Sequence, residues 1–235
     1  TPSIKITAED IVETRAGLVK VNPKDVIEEG MIKKELIINE DIEKIAKSED
    51  DSQTAVLEAA YKKRLELKKA FTKEDSDINP LVLIQIPTSE AGEQKIDAVK
   101  KFLGDKGITE KNGKLAIWLA EQKSDTIEWI SESDNQIEFL IFKQAIDTGW
   151  DCPRAHILVK FRESSNIVFE IQTVGRILRM PEQKHYENEV LNRGYIYTNL
   201  ESISVKKEEY NPNIIKHLKA NRVKDLSAPP NVFRM

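Results

Sequence analysis

Residues 172–179 read Gln-Thr-Val-Gly-Arg-Ile-Leu-Arg and carry an amide and two guanidinium groups at helical spacing. Gln172 and Arg176 are four apart, and Arg176 and Arg179 are three apart, so on a helix they occupy neighbouring faces and can converge on one point. Arginine's planar fork of N–H donors suits phosphate, and the chemistry expected is stabilisation of negative charge on a phosphoryl group. Ile171, Val174, Ile177 and Leu178 would face inward. Gly175 sits within this helix, where glycine costs about 1 kcal/mol relative to alanine, so a close approach by a backbone or a ligand is expected there. A solvated helix edge would carry the same arginines without such a role.

Five of the nine arginines, Arg154, Arg162, Arg176, Arg179 and Arg193, fall within one forty-residue stretch. At its start, residues 142–161, FKQAIDTGWDCPRAHILVKF, place a polar glycine turn between two apolar runs. Gly149 lets the backbone bend and approach a ligand, and Asp151 could accept hydrogen bonds from sugar hydroxyls or orient an arginine. The plainer alternative is a tight turn at Gly149 capped by Asp151, with Trp150 and Cys152 packed beneath.

The elements that must position these residues follow from periodicity. Short apolar runs at 81–87, 115–120, 137–142, 156–161 and 194–199 read as strands, separated by helical or loop segments. Strands alternating with helices imply an α/β fold around a mostly parallel sheet, in which ligands meet loops at the strand carboxyl ends. Residues 52 to about 71 form an amphipathic helix through Val56, Leu57, Ala60, Tyr61 and Leu65, with Ser52 as N-cap. A second helix runs through Ile96, Val99, Phe102 and Leu103 and stops at Gly104 or Gly107. The first fifty residues, with IKIT, GLVKVNP and MIKKELIIN, alternate β-branched runs with Gly, Pro and Asn breaks and suggest a small strand-rich extension.

Composition narrows the classes. With 40% apolar and 32% charged residues, the 235-residue chain can bury a real core, and no apolar run approaches the ~20 residues that cross a bilayer. A net charge of −4 gives no overall basic field, although a local cationic groove is compatible with it. The single cysteine, Cys152, excludes an internal disulfide framework and any multi-cysteine zinc site. The three histidines, His156, His185 and His217, have no metal-ligand spacing and are expected to be structural or surface residues. No signal peptide is in view, and a reducing cytoplasm is the expected compartment.

QTVGRILR resembles motif VI, Q-x-x-G-R-x-x-R, of superfamily-two helicases and translocases, and KQAIDTGWDCPRA resembles their motif V. The two stand in the family's order and, with INPLVLIQIP opening the sheet, the wording is similar to the second RecA-like domain of the restriction (Res) subunit of type III restriction-modification enzymes. The resemblance covers about 120 residues and is loose over the first 75. It implies a RecA-like, three-layer fold over 76–226, preceded by an extension and amphipathic helix at 1–75 and followed by a tail at 227–235.

It also implies roles. Arg179 becomes the arginine finger, Arg176 its phosphate-contacting neighbour and Gln172 an orienting group. Gly149, Asp151 and Gly175 approach ATP, while Lys143, Thr88 and Ser89 contact the DNA backbone. Lys143 stands where related motors often carry threonine. Neither a G-x-x-x-x-G-K-[ST] phosphate loop, nor a D-E-x-H motif, nor the family's nuclease carboxylates and lysine can be recognised. The chain therefore reads as a piece of a larger ATP-dependent endonuclease, inactive by itself. Mg2+ would be held by residues elsewhere. The expected partners are double-stranded DNA, a first RecA-like domain and a nuclease domain of the same polypeptide, and a methyltransferase (Mod) subunit. The rival readings are the motor half of a type I restriction subunit or another superfamily-two DNA translocase, and a non-catalytic nucleic-acid or protein binding module on the same fold. A Rossmann-type small-molecule enzyme is disfavoured, since no G-x-G-x-x-G follows the first sheet strand.

Overall fold

Apolar runs without polar alternation become strands buried on both faces, the pattern that parallel sheets require. The computed structural model describes residues 23–46, 52–88, 91–118, 127–143, 150–161, 173–199 and 217–218. Its strands are β1 (Glu35–Ile38), β2 (Leu81–Gln85), β3 (Leu115–Trp118), β4 (Phe139–Phe142), β5 (Ala155–Lys160), β6 (Arg193–Thr198) and the two-residue β7 (His217–Leu218). They form one seven-stranded sheet in the order β3-β4-β2-β5-β6-β1-β7. Every pairing is parallel. Every residue of β2, β4 and β5 is buried.

The helices are α1 (Pro23–Glu28), α2 (Ile42–Ala46), α3 (Ser52–Lys73), α4 (Ala91–Asp105) and α5 (Ile127–Ile130). Alternate strand residues point to two separate cores. On one face Val82, Ile84, Phe139, Ile141, Ile157, Val159, Tyr195 and Tyr197 pack with α2, α3 and α4. On the other, Leu83, Leu140, Leu158 and Ile196 pack with α1, α5, Trp150, Cys152 and a helical turn at 173–177. The result is the expected three-layer α/β arrangement.

The first 75 residues are not an appendage where they are described. Strand β1 lies inside the sheet, with Glu35 in register with Arg193 and Ile38 with Ile196, and α3 covers β5 and β6. Phe71 of α3 and Ile78 share one core with β2. The reason is burial: Leu36 and Ile38 join one core and Ile37 the other, and a strand apolar on both faces must sit within a covered sheet. The run IKIT, the run GLVKVNP up to Asn22, and the tail at 227–235 lie outside the described residues.

Two local expectations are corrected. Ser52 is the first helical residue, and its hydroxyl accepts from Asn199 Nδ2 at 3.1 Å. Leu65 is 36% exposed whereas Leu67 is fully buried, since the α3 stripe runs through residues 56, 60, 67 and 71.

Arg154, one of the five clustered arginines, is buried in the core. Its Nε donates to Ile130 O at 2.6 Å, and its Nη1 donates to Asn79 O at 2.7 Å and Ile137 O at 2.9 Å. Burial brings its pKa down to about 10. Arg193 pairs with Glu35 at 2.9 Å and is likewise occupied within the fold. His156 is buried edge-on to Phe71 with ring centroids 5.2 Å apart, and burial holds its pKa well below the ordinary histidine value. Replacing Arg154 by methionine removes three bonds to buried carbonyls and is expected to cost about 3 kcal/mol or more, read from the urea unfolding midpoint.

Candidate functional site

The arginine segment is built from a short helical turn whose apolar side is sealed to the sheet. Val174, Ile177 and Leu178 are buried against Leu36, Leu158 and Ile196, while Gly175 and Arg176 are half-buried and Arg179 is exposed. Glycine at 194 in β6 permits this approach, since a Cβ there would meet Ile177 O at 3.2 Å and Leu36 Cδ1 at 3.3 Å.

The helix expected to carry both Arg176 and Arg179 ends at Ile177. Arg179 lies in an antiparallel bridge with Ile32. Lys33 N donates to Leu178 O at 2.6 Å and Met180 N to Met31 O at 3.1 Å, so backbone groups that would have continued the helix pair with residues 31–33. Pro181 explains the exit, because the residue before proline is driven to extended backbone.

Two arginines three apart then hold two consecutive residues. Arg176 Nη1 donates to Trp150 O, and its guanidinium carbon lies 5.5 Å from the Trp150 ring centroid. Arg179 Nη1 donates to Asp151 Oδ2 at 2.6 Å. The Arg179 and Asp151 side chains are 56% and 42% exposed, so water competes for both and the pair contributes at most about 1 kcal/mol. Arg179 is therefore placed but readily exchanged onto another anion.

Trp150 and Cys152 pack beneath Asp151, as in the plainer reading of this turn. Cys152 Sγ lies 3.8 Å from Ile130 O, and burial pushes its thiol up to about 11, which removes it from nucleophilic chemistry. Gly175 differs from expectation, since no heavy atom lies within 4 Å of where its Cβ would stand. Among the described residues no backbone approaches it, and the space above it is open.

The site residues fall at opposite ends of the sheet. Asp151, Arg176 and Arg179 lie at the amino ends of β5 and β1, not at the carboxyl ends expected for a ligand site, because residues 150–154 precede β5 and residue 179 pairs ahead of β1. Thr88 and Lys143 lie at the carboxyl ends of β2 and β4. A strand of five or six residues spans about 17–20 Å, which separates the two groups. Thr88 is exposed. Lys143 Nζ pairs with Glu93 Oε1 in the first turn of α4 at 3.3 Å. Gln172, Gly149 and Ser89 lie outside the described residues.

Three participants carried no sequence signal of this kind. Trp150 reads only as a packing residue, Glu93 stands in no motif, and Lys33 sits in MIKK, where a lysine reads as solvent-facing. Among the described residues, no group of three or more His, Cys, Asp and Glu side chains could hold a metal ion, and no helix is long and apolar enough to cross a membrane.

No family model matches the chain, and no curated protein matches it either. Among solved structures, a fragment assigned as an HsdR subunit of a type I restriction enzyme from Vibrio vulnificus YJ016 is similar at a TM-score of 0.49 and 16% identity over 93% of this chain. The ATP-dependent type ISP restriction-modification enzyme LlaBIII bound to DNA is similar at 0.44 and 14% identity over 79% of it. This chain spans 42% of the first structure's length and 13% of the second's.

Because the space above Gly175 is open and glycine is the poorer helix former, Gly175→Ala is expected to raise stability by up to about 1 kcal/mol in urea unfolding. A loss of stability would mean that the space is filled in solution.

Proposed function

We propose that this chain is the arginine-supplying half of an ATP-driven DNA motor, of the kind found as the second RecA-like domain of a type III restriction (Res) subunit. The observation that carries the reading is the exposed Arg179–Asp151 pair at 2.6 Å, held beside Arg176 on a buried base. A finger must be aimed without being consumed by its own domain, and a weak exposed pair over a rigid support satisfies both needs.

In this reading ATP and Mg2+ are held by a first RecA-like domain of the same polypeptide. The residues here fit the remaining wall. Arg179 exchanges Asp151 for the phosphoryl oxygens, where an arginine contributes about 10³ to 10⁵ in rate. Asp151, released, accepts from ribose hydroxyls. Arg176 keeps the Trp150 backbone in place while its guanidinium faces the same edge. The open space above Gly175 admits the partner domain or nucleotide, and Gln172 and Gly149 complete the wall as the resemblance implies.

At the opposite end of the sheet, Lys143 exchanges Glu93 for a DNA phosphate, with Thr88 and Ser89 donating beside it. Such contacts are independent of sequence, so recognition falls to a methyltransferase (Mod) subunit and cleavage to a nuclease domain. The cytoplasm is the compartment where such an enzyme would meet DNA.

In the intact polypeptide, Arg179→Ala is expected to lower DNA-stimulated ATP hydrolysis about 10³-fold or more while DNA binding in a gel-shift titration stays near wild type. Undiminished hydrolysis would overturn the finger assignment and favour a non-catalytic binding module.

A further inference from the structure

The Arg179–Asp151 contact needs its two halves, the turn at 173–177 and the segment before β5, fixed relative to each other, and neither half has a sequence-local reason to be so. One buried side chain spans them. Lys33 has no solvent exposure, and its Nζ donates to Ile177 O at 2.6 Å and to Ala155 O at 3.0 Å. Ile177 closes the helical turn that carries Arg176, and Ala155 opens β5 four residues after Asp151.

We propose that Lys33 is a positioning residue for the arginine pair, tying the end of the arginine turn to the start of β5 and so setting where Arg179 stands over Asp151. The inference rests on the motor reading above for its catalytic consequence, though not for its geometry.

The neighbouring backbone supports the assignment. Lys33 N donates to Leu178 O at 2.6 Å, Ile32 bridges Arg179, and His185 Nε2 lies 3.0 Å from Ile32 O. Residues 31–33 thus hold the segment 178–180 along its backbone. An N–H donor at the last carbonyls of a helical turn also meets the negative end of its peptide dipoles. Burial pushes the Lys33 ammonium well below the ordinary lysine pKa, and the neighbouring Cys152 works in the opposite direction. Both bonds survive either protonation state, since a neutral amine still carries two N–H donors for two carbonyls.

The same geometry makes Lys33 a poor candidate for direct chemistry. It is sealed beneath the turn, and any effect on the reaction must pass through Arg176 and Arg179.

The test compares Lys33→Met and the milder Lys33→Gln, which keeps N–H donors, in the intact polypeptide. A displaced finger is expected to lower kcat for DNA-stimulated ATP hydrolysis by about tenfold to a hundredfold while KM for ATP moves little, with Lys33→Gln intermediate. The Lys33→Met, Arg179→Ala double variant should be no slower than Arg179→Ala alone, whereas general loss of folded enzyme would slow it further.

A second readout is independent of activity. In the 235-residue chain with Trp118→Phe and Trp129→Phe, Trp150 is the only tryptophan, and Lys33→Met should shift its emission to longer wavelength as Arg176 leaves its ring. Unchanged kcat and unchanged Trp150 emission, alongside a dead Arg179→Ala, would overturn the role of Lys33 and leave the motor reading standing. Should Arg179→Ala instead keep full turnover, the motor reading fails, and the Trp150 emission alone decides whether Lys33 positions the pair.

Discussion

The amino edge of the sheet depends on buried basic side chains that donate to main-chain carbonyls. Lys33 serves Ile177 and Ala155, Arg154 serves Ile130, Asn79 and Ile137, and Arg64 serves Pro80 while pairing with Glu138 at 3.1 Å. Strand starts and helix ends leave carbonyls that the ladder does not use, and a buried orphan carbonyl is costly. Long cationic side chains reach several such groups at once. They turn a ragged set of loops into a stiff floor, at the cost of desolvating charge.

That floor explains the contrast between the two site arginines. Arg176 leans on Trp150, which is buried against the same core as Cys152 and Ile130, and its role in the chain is to hold. Arg179 is three residues further on, past the end of the helical turn, and extends over the rim into water to meet Asp151. A contact that must be exchanged has to be weak, and one that must be aimed has to be fixed at its base. The two requirements fall on different residues here.

The sheet was legible because parallel strands buried on both faces leave unbroken apolar runs, and LVLIQ, LAIW, FLIF, HILVK and GYIYT all became strands within a residue or two. The arginine spacing was legible too, since i, i+3 and i, i+4 relations are local. What the residues of 31–46 do was not, because β1 is only four residues long and its neighbours β6 and β7 lie more than 150 residues downstream. The end of the arginine helix was hidden for the same reason: its carbonyls find partners in residues 31–33, a pairing no local pattern encodes. Arg154 and Arg179 look alike in sequence. Only tertiary burial separates the core cation from the exposed one.

The separation of the two residue groups sharpens what the connection from β4 to β5 must do. Strand β4 ends at Phe142 beside Lys143, and β5 begins at Ala155 after Asp151, on opposite sides of β2 in the sheet and at opposite ends of it. One covalent segment of about a dozen residues therefore leaves the end that holds Lys143 and Thr88 and arrives at the end that holds Asp151 and Arg179. Its far end is anchored by Trp150 and Cys152 in the core, and by Arg154, whose three carbonyl bonds admit little rotation. The described end of this segment is therefore fixed, and Asp151 stands at the exposed margin of that fixed base.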